Sequence, residues 1–212
     1  MGFVLVDRDL YMLRYIECFR FCLGRHIKHL VGFDGQRACD RRLTALIEAG
    51  YLDRKKVLYG VPSVYYLTYK GKMLIGANKR QDKIRIEKIN HDIAVVDTAI
   101  FFHFKRYISL RAIISEKELY SKNGFGKRKH FPDFVFEENG NRCCVEIELT
   151  AKAKSRFAQI VEDNYLNFEM QYWIVSIHSH KIKAMLDEQM QKYPNIEIID
   201  LEEVQKFVRL KQ

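Results

Sequence analysis

At 212 residues, with 48% hydrophobic and 13% aromatic content, the chain can bury one large core or two smaller ones, and it is too apolar for a disordered tail. It has no run of about 18 apolar residues, and the stretch from Met1 to Val6 is too short for a signal peptide, so a soluble, cytoplasmic protein without a membrane segment is expected. The formal charge of +9 is unevenly placed: residues 1–80 hold 15 Lys/Arg against 7 Asp/Glu and the rest holds 21 against 20, which points to a polyanion-binding first part joined to a near-neutral second.

Asp7 is positioned to cap a helix over about 8–23, in which Leu10, Leu13, Ile16, Phe19, Cys22 and Leu23 form an apolar stripe. Gly24 breaks it, and a short helix from Arg25 to Val31 follows. Asp34 is positioned to cap a third helix, 35–49, that buries Ala38, Cys39, Leu43, Leu46 and Ile47 and ends at Gly50. Residues 51–57 and 63–68 read as a two-stranded ribbon with its tip between Tyr59 and Pro62, and Lys70-Gly71-Lys72 opens a last helical turn. The five cysteines form neither a CxxC pair nor a zinc spacing with histidine, which leaves buried free thiols as the expectation.

This layout, and in particular Leu43 to Arg54 followed by Tyr66-Leu67-Thr68-Tyr69-Lys70-Gly71, resembles the recognition-helix-to-wing segment of winged-helix DNA-binding proteins. Gln36, Arg37, Asp40, Arg41 and Thr44 then fall on the outer face of the third helix, where Arg and Gln reach base edges. Arg54, Lys55 and Lys56 fall in the wing, against phosphates. Double-stranded DNA is the partner this implies. A solvated basic face, or a winged helix used for protein contacts, is the alternative.

The polar residues 77–83 read as a linker between a first domain, 1–76, and a second, 84–212. A helix is expected from Ile84 to Lys105, with Glu87 and His91 four apart on one face. A strand from Ile108 to Ile114, a short helix opened by Ser115 and a basic loop from Asn123 to Lys129 follow. Asn139-Gly140 between two β-rich runs predicts a tight hairpin joining strands 133–137 and 142–149. Val145, Ile147 and Leu149 take one face of the second strand, so Glu146 and Glu148 share the other, and Asp133 opens the partner strand behind Pro132. Like charges so close repel, and the cluster calls for a cation, a proton or a basic partner. Helix 155–168, strand 172–177, helix 180–192, strand 196–199 and helix 202–210 complete an α/β domain with a mixed central sheet.

Pro132-Asp133 opening one strand and Glu146-Ile147-Glu148 ending the next resemble the PD-(D/E)XK nuclease-like fold. The resemblance implies a fold of α+β type in two domains, a winged helix-turn-helix followed by a restriction-endonuclease-like domain. It also implies Mg²⁺, with Mn²⁺ as its substitute, on Asp133 and Glu146, and Glu87 as a ligand from the helix. Glu148 stands where that motif has its lysine. Lys152 or Lys154 is near enough in sequence to substitute, and His91 or His130 to transfer a proton. Both halves together, with His91-Asp92, Phe131-Pro132-Asp133 and Val145-Glu146-Ile147-Glu148-Leu149-Thr150, resemble the replication-relaxation family of plasmids and mobile elements. The implied role is replication or transfer of mobile DNA. Two readings stand: a Mg²⁺-dependent DNA endonuclease, or a non-enzymatic DNA-binding accessory factor whose α/β domain serves dimerisation or partner contacts. For the site itself, the alternative is that Glu146 and Glu148 are surface carboxylates balanced by Arg142, Lys152 and Lys154.

Overall fold

The computed structural model describes residues 3–57, 59–60, 62–80, 82–123 and 130–210. The chain folds into two compact units, one reaching to Val96 and one running from Asp97 to Leu210.

In the first unit, α1 (Asp7–Cys18), β1 (Cys22–Leu23), α2 (Gly24–Val31), α3 (Gln36–Glu48), β2 (Leu52–Lys55), β3 (Val64–Leu67) and α4 (Tyr69–Leu74) follow in order. The strands form an antiparallel sheet in the order β1-β3-β2. Helix α1 is shorter than its apolar stripe suggested. Arg20 takes a left-handed φ of 68°, which turns the chain out of the helix and lets Cys22 and Leu23 pair with Tyr65 and Val64. Nor does Asp7 cap it: Val6 is the N-cap residue, and the Asp9 carboxylate accepts the Val6 amide at 2.9 Å. Gly35, in place of Asp34, holds the N-cap position of α3.

Asp9 is fully buried and accepts Arg42 Nε at 2.8 Å, while Arg42 also donates to Val4 O at 2.7 Å, so α1, α3 and the N-terminal segment are tied together. Lys72, expected only to open a turn, is buried with its ammonium on Asp82 Oδ2 and Arg80 O at 2.6 Å each and on Glu17 Oε2 at 3.4 Å. Ile86–Lys88 form a 3₁₀ turn before α5 (Ile89–Lys105). Ile89 packs with Phe21, Leu23 and Val64, and Ile84 and Ile93 cover them. The first compact unit therefore takes in the polar 77–83 stretch and α5 as far as Val96.

The second unit continues with β4 (Ile114–Ser115), α6 (Glu116–Asn123), β5 (Phe134–Glu138), β6 (Asn141–Glu148), α7 (Lys154–Asn167), β7 (Met170–Val175), α8 (His180–Met190), β8 (Ile196–Asp200) and α9 (Leu201–Leu210). The expected strand over 108–114 is interrupted by a 3₁₀ turn, Leu110–Ala112, held by the Ser109 side chain accepting the Arg111 amide; only Ile114 and Ser115 pair with β5. The five strands stand in the order β4-β5-β6-β7-β8, antiparallel up to β6 and parallel beyond it. The sheet is mixed, as the element order required: a two-residue turn forces β5 and β6 antiparallel, whereas α7 and α8 are crossovers between parallel strands.

The β5–β6 turn is Asn139-Gly140, with φ 53° and 80°, and it sets Glu138 opposite Asn141 and Phe134 opposite Val145. One face of the sheet packs Phe134, Phe136 and Tyr172 against Phe102 of α5, and the other packs Trp173 and Val175 under Phe157, Ile160 and Val161 of α7 and Ile182 and Leu186 of α8. Among the described residues no helix is long and apolar enough to cross a membrane.

Candidate functional site

Two places carry the side chains singled out by the sequence, one in each unit. In the first unit, Cys39, Leu43 and Leu46 bury one side of α3, which leaves Gln36, Arg37, Asp40, Arg41 and Thr44 exposed on the opposite side. Gln36 Nε2 donates to Asp40 Oδ1 at 2.7 Å, and Thr44 Oγ1 donates to Asp40 O at 2.9 Å. Arg54, Lys55 and Lys56 are exposed on and just after β2, whose buried residue is Leu52, paired with the buried Leu67 of β3. Across the ribbon, Tyr66 donates to Asp53 Oδ2 at 2.7 Å and is held there by β3, so it packs within the hairpin. Part of the expected ribbon tip, at positions 58 and 61, lies outside the described residues, as do 124–129 of the basic loop.

In the second unit, Asp133 sits one step before the Phe134–Val145 pair, so it lies across from Glu146 and on the same face of the sheet. Its amide donates to Val145 O at 3.1 Å, and its Oδ2 accepts the Ile147 amide at 2.8 Å. Glu146 and Glu148, at 5% and 3% exposure, are buried on the face covered by α7. That burial corrects the picture of two surface carboxylates. Lys154 starts α7 and pairs with Glu188 at 2.7 Å, and the Arg142 guanidinium stacks over Phe168 at 5.4 Å; of the three proposed counter-charges only Lys152 arrives, with its ammonium on Glu148 Oε2.

Glu146 Oε1 is taken twice, by His130 Nε2 at 2.6 Å and by Asn164 Nδ2 at 2.9 Å. Burial raises the Glu146 carboxyl above the usual carboxylate range; the His130 and Asn164 contacts pull it back, and the charge of Asp133 adds to the rise. Burial disfavours the charged His130 ring, but the bond to Glu146 and the charges of Glu146 and Asp133 outweigh it, and the ring titrates higher than ordinary histidine. Asn164 escaped the sequence reading. The available signal was a polar residue at helical spacing from Phe157, Ile160 and Val161 on a buried stripe, a position that obliges a partner.

The other predicted residues behave differently. Glu87 is exposed in the 3₁₀ turn ahead of α5, so it does not share a helical face with His91, whose Nδ1 lies 3.5 Å from Asp92 Oδ1. Both belong to the first unit, whereas Asp133, Glu146, Glu148 and Lys152 belong to the second.

A divalent cation asks for several carboxylate oxygens turned to one point with room for water. Here Glu146 Oε1, Asp133 Oδ2 and Glu148 Oε2 each receive a donor from the chain itself. Among the described residues no group of three or more His, Cys, Asp or Glu side chains is arranged to hold a metal ion. The donor set as it stands does not fit Mg²⁺.

A sequence model of the replication-relaxation family matches residues 13–163, which runs from the second half of α1 through most of α7 and takes in the exposed face of α3 and all of the carboxylate cluster except Asn164. The chain belongs to the replication-relaxation family. Membership suggests a role in the replication or transfer of a plasmid or mobile element. No curated protein and no solved structure matches it. This replication-relaxation protein carries a basic, exposed helix face in one unit and an internally hydrogen-bonded acidic cluster in the other.

Proposed function

We propose that this replication-relaxation protein binds double-stranded DNA of a plasmid or mobile element through its first unit, as an accessory factor in replication or transfer. The first unit is read as a winged helix, with α3 in the major groove and the β2–β3 ribbon on phosphates. The observation that carries the reading is the exposed face of α3, where Gln36, Arg37, Arg41 and Thr44 stand clear of the core while Arg54, Lys55 and Lys56 project from the ribbon. The excess charge of residues 1–80 supports it.

The second unit is read as a PD-(D/E)XK-like domain serving partner contacts or dimerisation instead of strand cleavage. Its mixed sheet and the position of Asp133 beside Glu146 support the likeness. The closure of the cluster by His130, Asn164 and Lys152 supports the non-cleaving role.

Titration of a labelled duplex tests the first claim. Arg37→Ala and Arg41→Ala should each weaken binding by about 1–3 kcal/mol if they reach bases. Affinity and salt dependence unchanged in both would remove α3 from the interface. Plasmid incubated with Mg²⁺ or Mn²⁺ tests the second: equal background nicking by wild type, Asp133→Ala and Glu146→Ala is expected. Nicking that either substitution abolishes would make the second unit a nuclease.

A further inference from the structure

The departure at Glu148 and the crowding around Glu146 have one explanation. Two buried carboxylates on neighbouring positions of one strand face, with a third across from them, form an arrangement that a protein interior tolerates only when each charge is paired or neutralised. In a nuclease of the PD-(D/E)XK pattern the metal does much of that work. We infer that in this chain His130, Asn164 and Lys152 take the place of the divalent cation, so that the cluster is complete without metal.

Each donor comes from a different segment. His130 lies on the approach to β5, Lys152 in the turn after β6, and Asn164 on the buried stripe of α7. The backbone amide of Ile147 completes the set on Asp133. The lysine missing from position 148 has in effect moved four residues along the chain, and its ammonium is turned back onto the carboxylate that replaced it. A lysine so engaged holds the end of β6 to the turn before α7, and is not directed at a reacting phosphate. Asn164 adds a neutral donor to the same carboxylate oxygen that His130 engages.

The inference concerns the second unit and does not rest on DNA binding by the first, so its test contains no DNA. Thermal unfolding of the full chain is followed in EDTA and in Mn²⁺ or Mg²⁺ at matched ionic strength, with free Mn²⁺ read by electron paramagnetic resonance. Wild type should unfold at the same temperature with and without metal and should leave the Mn²⁺ signal unchanged. His130→Ala and Lys152→Met should unfold at lower temperature in EDTA and recover by roughly 3 °C or more in Mn²⁺, because each exposes a carboxylate pair to the ion. The double variant His130→Ala with Glu146→Gln should lose that recovery.

Stoichiometric Mn²⁺ uptake by wild type, or its stabilisation by metal, would overturn the inference. So would single variants with wild-type unfolding temperatures and no response to Mn²⁺. Should His130→Ala fail to fold in EDTA, Lys152→Met carries the same comparison alone, and His130→Gln, which keeps an amide donor, should stay indifferent to metal.

Discussion

At the scale of single residues, the period of a strand is a strong informant and the reach of a side chain a weak one. Alternation alone places Glu146 and Glu148 on one face, and the Asn139-Gly140 turn fixes the register that sets Asp133 across from Glu146. Of what closes the cluster, Lys152 was legible as one of three nearby counter-charges, whereas Asn164 was not, because it arrives on a helix whose docking no local pattern specifies. The pairing of His130 with Glu146 also makes stability depend on pH. The ring titrates above its unfolded value, so its contribution is complete below the ordinary histidine range and is lost as pH rises through the folded value. Glu146 is raised as well, which is the reverse of the usual carboxylate: the folded state holds the proton more tightly, and ionisation with rising pH also works against folding. Both signs agree. Urea unfolding of wild type should therefore give a free energy that falls as pH rises through and above the ordinary histidine range, with a flatter profile in His130→Gln over the same rise. Parallel profiles would mean that the pair is not linked to folding.

At the scale of elements, existence and type were readable almost throughout, and boundaries failed where a single backbone angle or side-chain bond decided them. Periodicity ran α1 on through Leu23 because apolar residues continue there; the left-handed Arg20 and the pairing of β1 with β3 end it at Cys18. A similar override set a 3₁₀ turn, Leu110–Ala112, in the middle of the strand expected before Ile114. Two glycines show how differently such local demands act. Gly140 sits at φ +80° with nothing within 4 Å of an added Cβ, so Gly140→Ala strains only the backbone and should cost about 1–2 kcal/mol. Gly71 has ordinary helical backbone, but a Cβ there would lie 2.2 Å from Tyr51 O, a backbone atom of the chain leading into β2. Gly71→Ala must push α4 off the ribbon, and should cost about 3 kcal/mol or more, beyond the usual range for an added methyl. Chemical unfolding of both variants checks the order, which should be Gly71→Ala well below Gly140→Ala. The reverse order would mean that α4 moves aside freely.

At the scale of the molecule, charge was the most legible property of all. Nearly all the net excess lies in residues 1–80, and the exposed cations of α3 and the ribbon are part of it. The cations of that unit do not all face outward, however. Arg42 is committed to Asp9 and Lys72 to Asp82, so counting charges overstates what DNA would feel. The electrostatic footprint that remains from the proposed contacts is Arg37, Arg41, Arg54, Lys55 and Lys56. If the three ribbon cations meet phosphates along one duplex, they should contribute about −3 to the slope of the logarithm of affinity against the logarithm of salt concentration, since each neutralised phosphate contributes about −0.9. Arg54→Ala, Lys55→Ala and Lys56→Ala combined should reduce that slope by about 2–3 while leaving any preference among sequences intact, because phosphate contacts position the protein without reading bases. Arg37→Ala with Arg41→Ala should change the preference among sequences as well as the affinity. A slope that the ribbon variant leaves untouched would place the phosphate contacts elsewhere on the protein, and would turn the ribbon from a DNA clamp into a structural brace for α3.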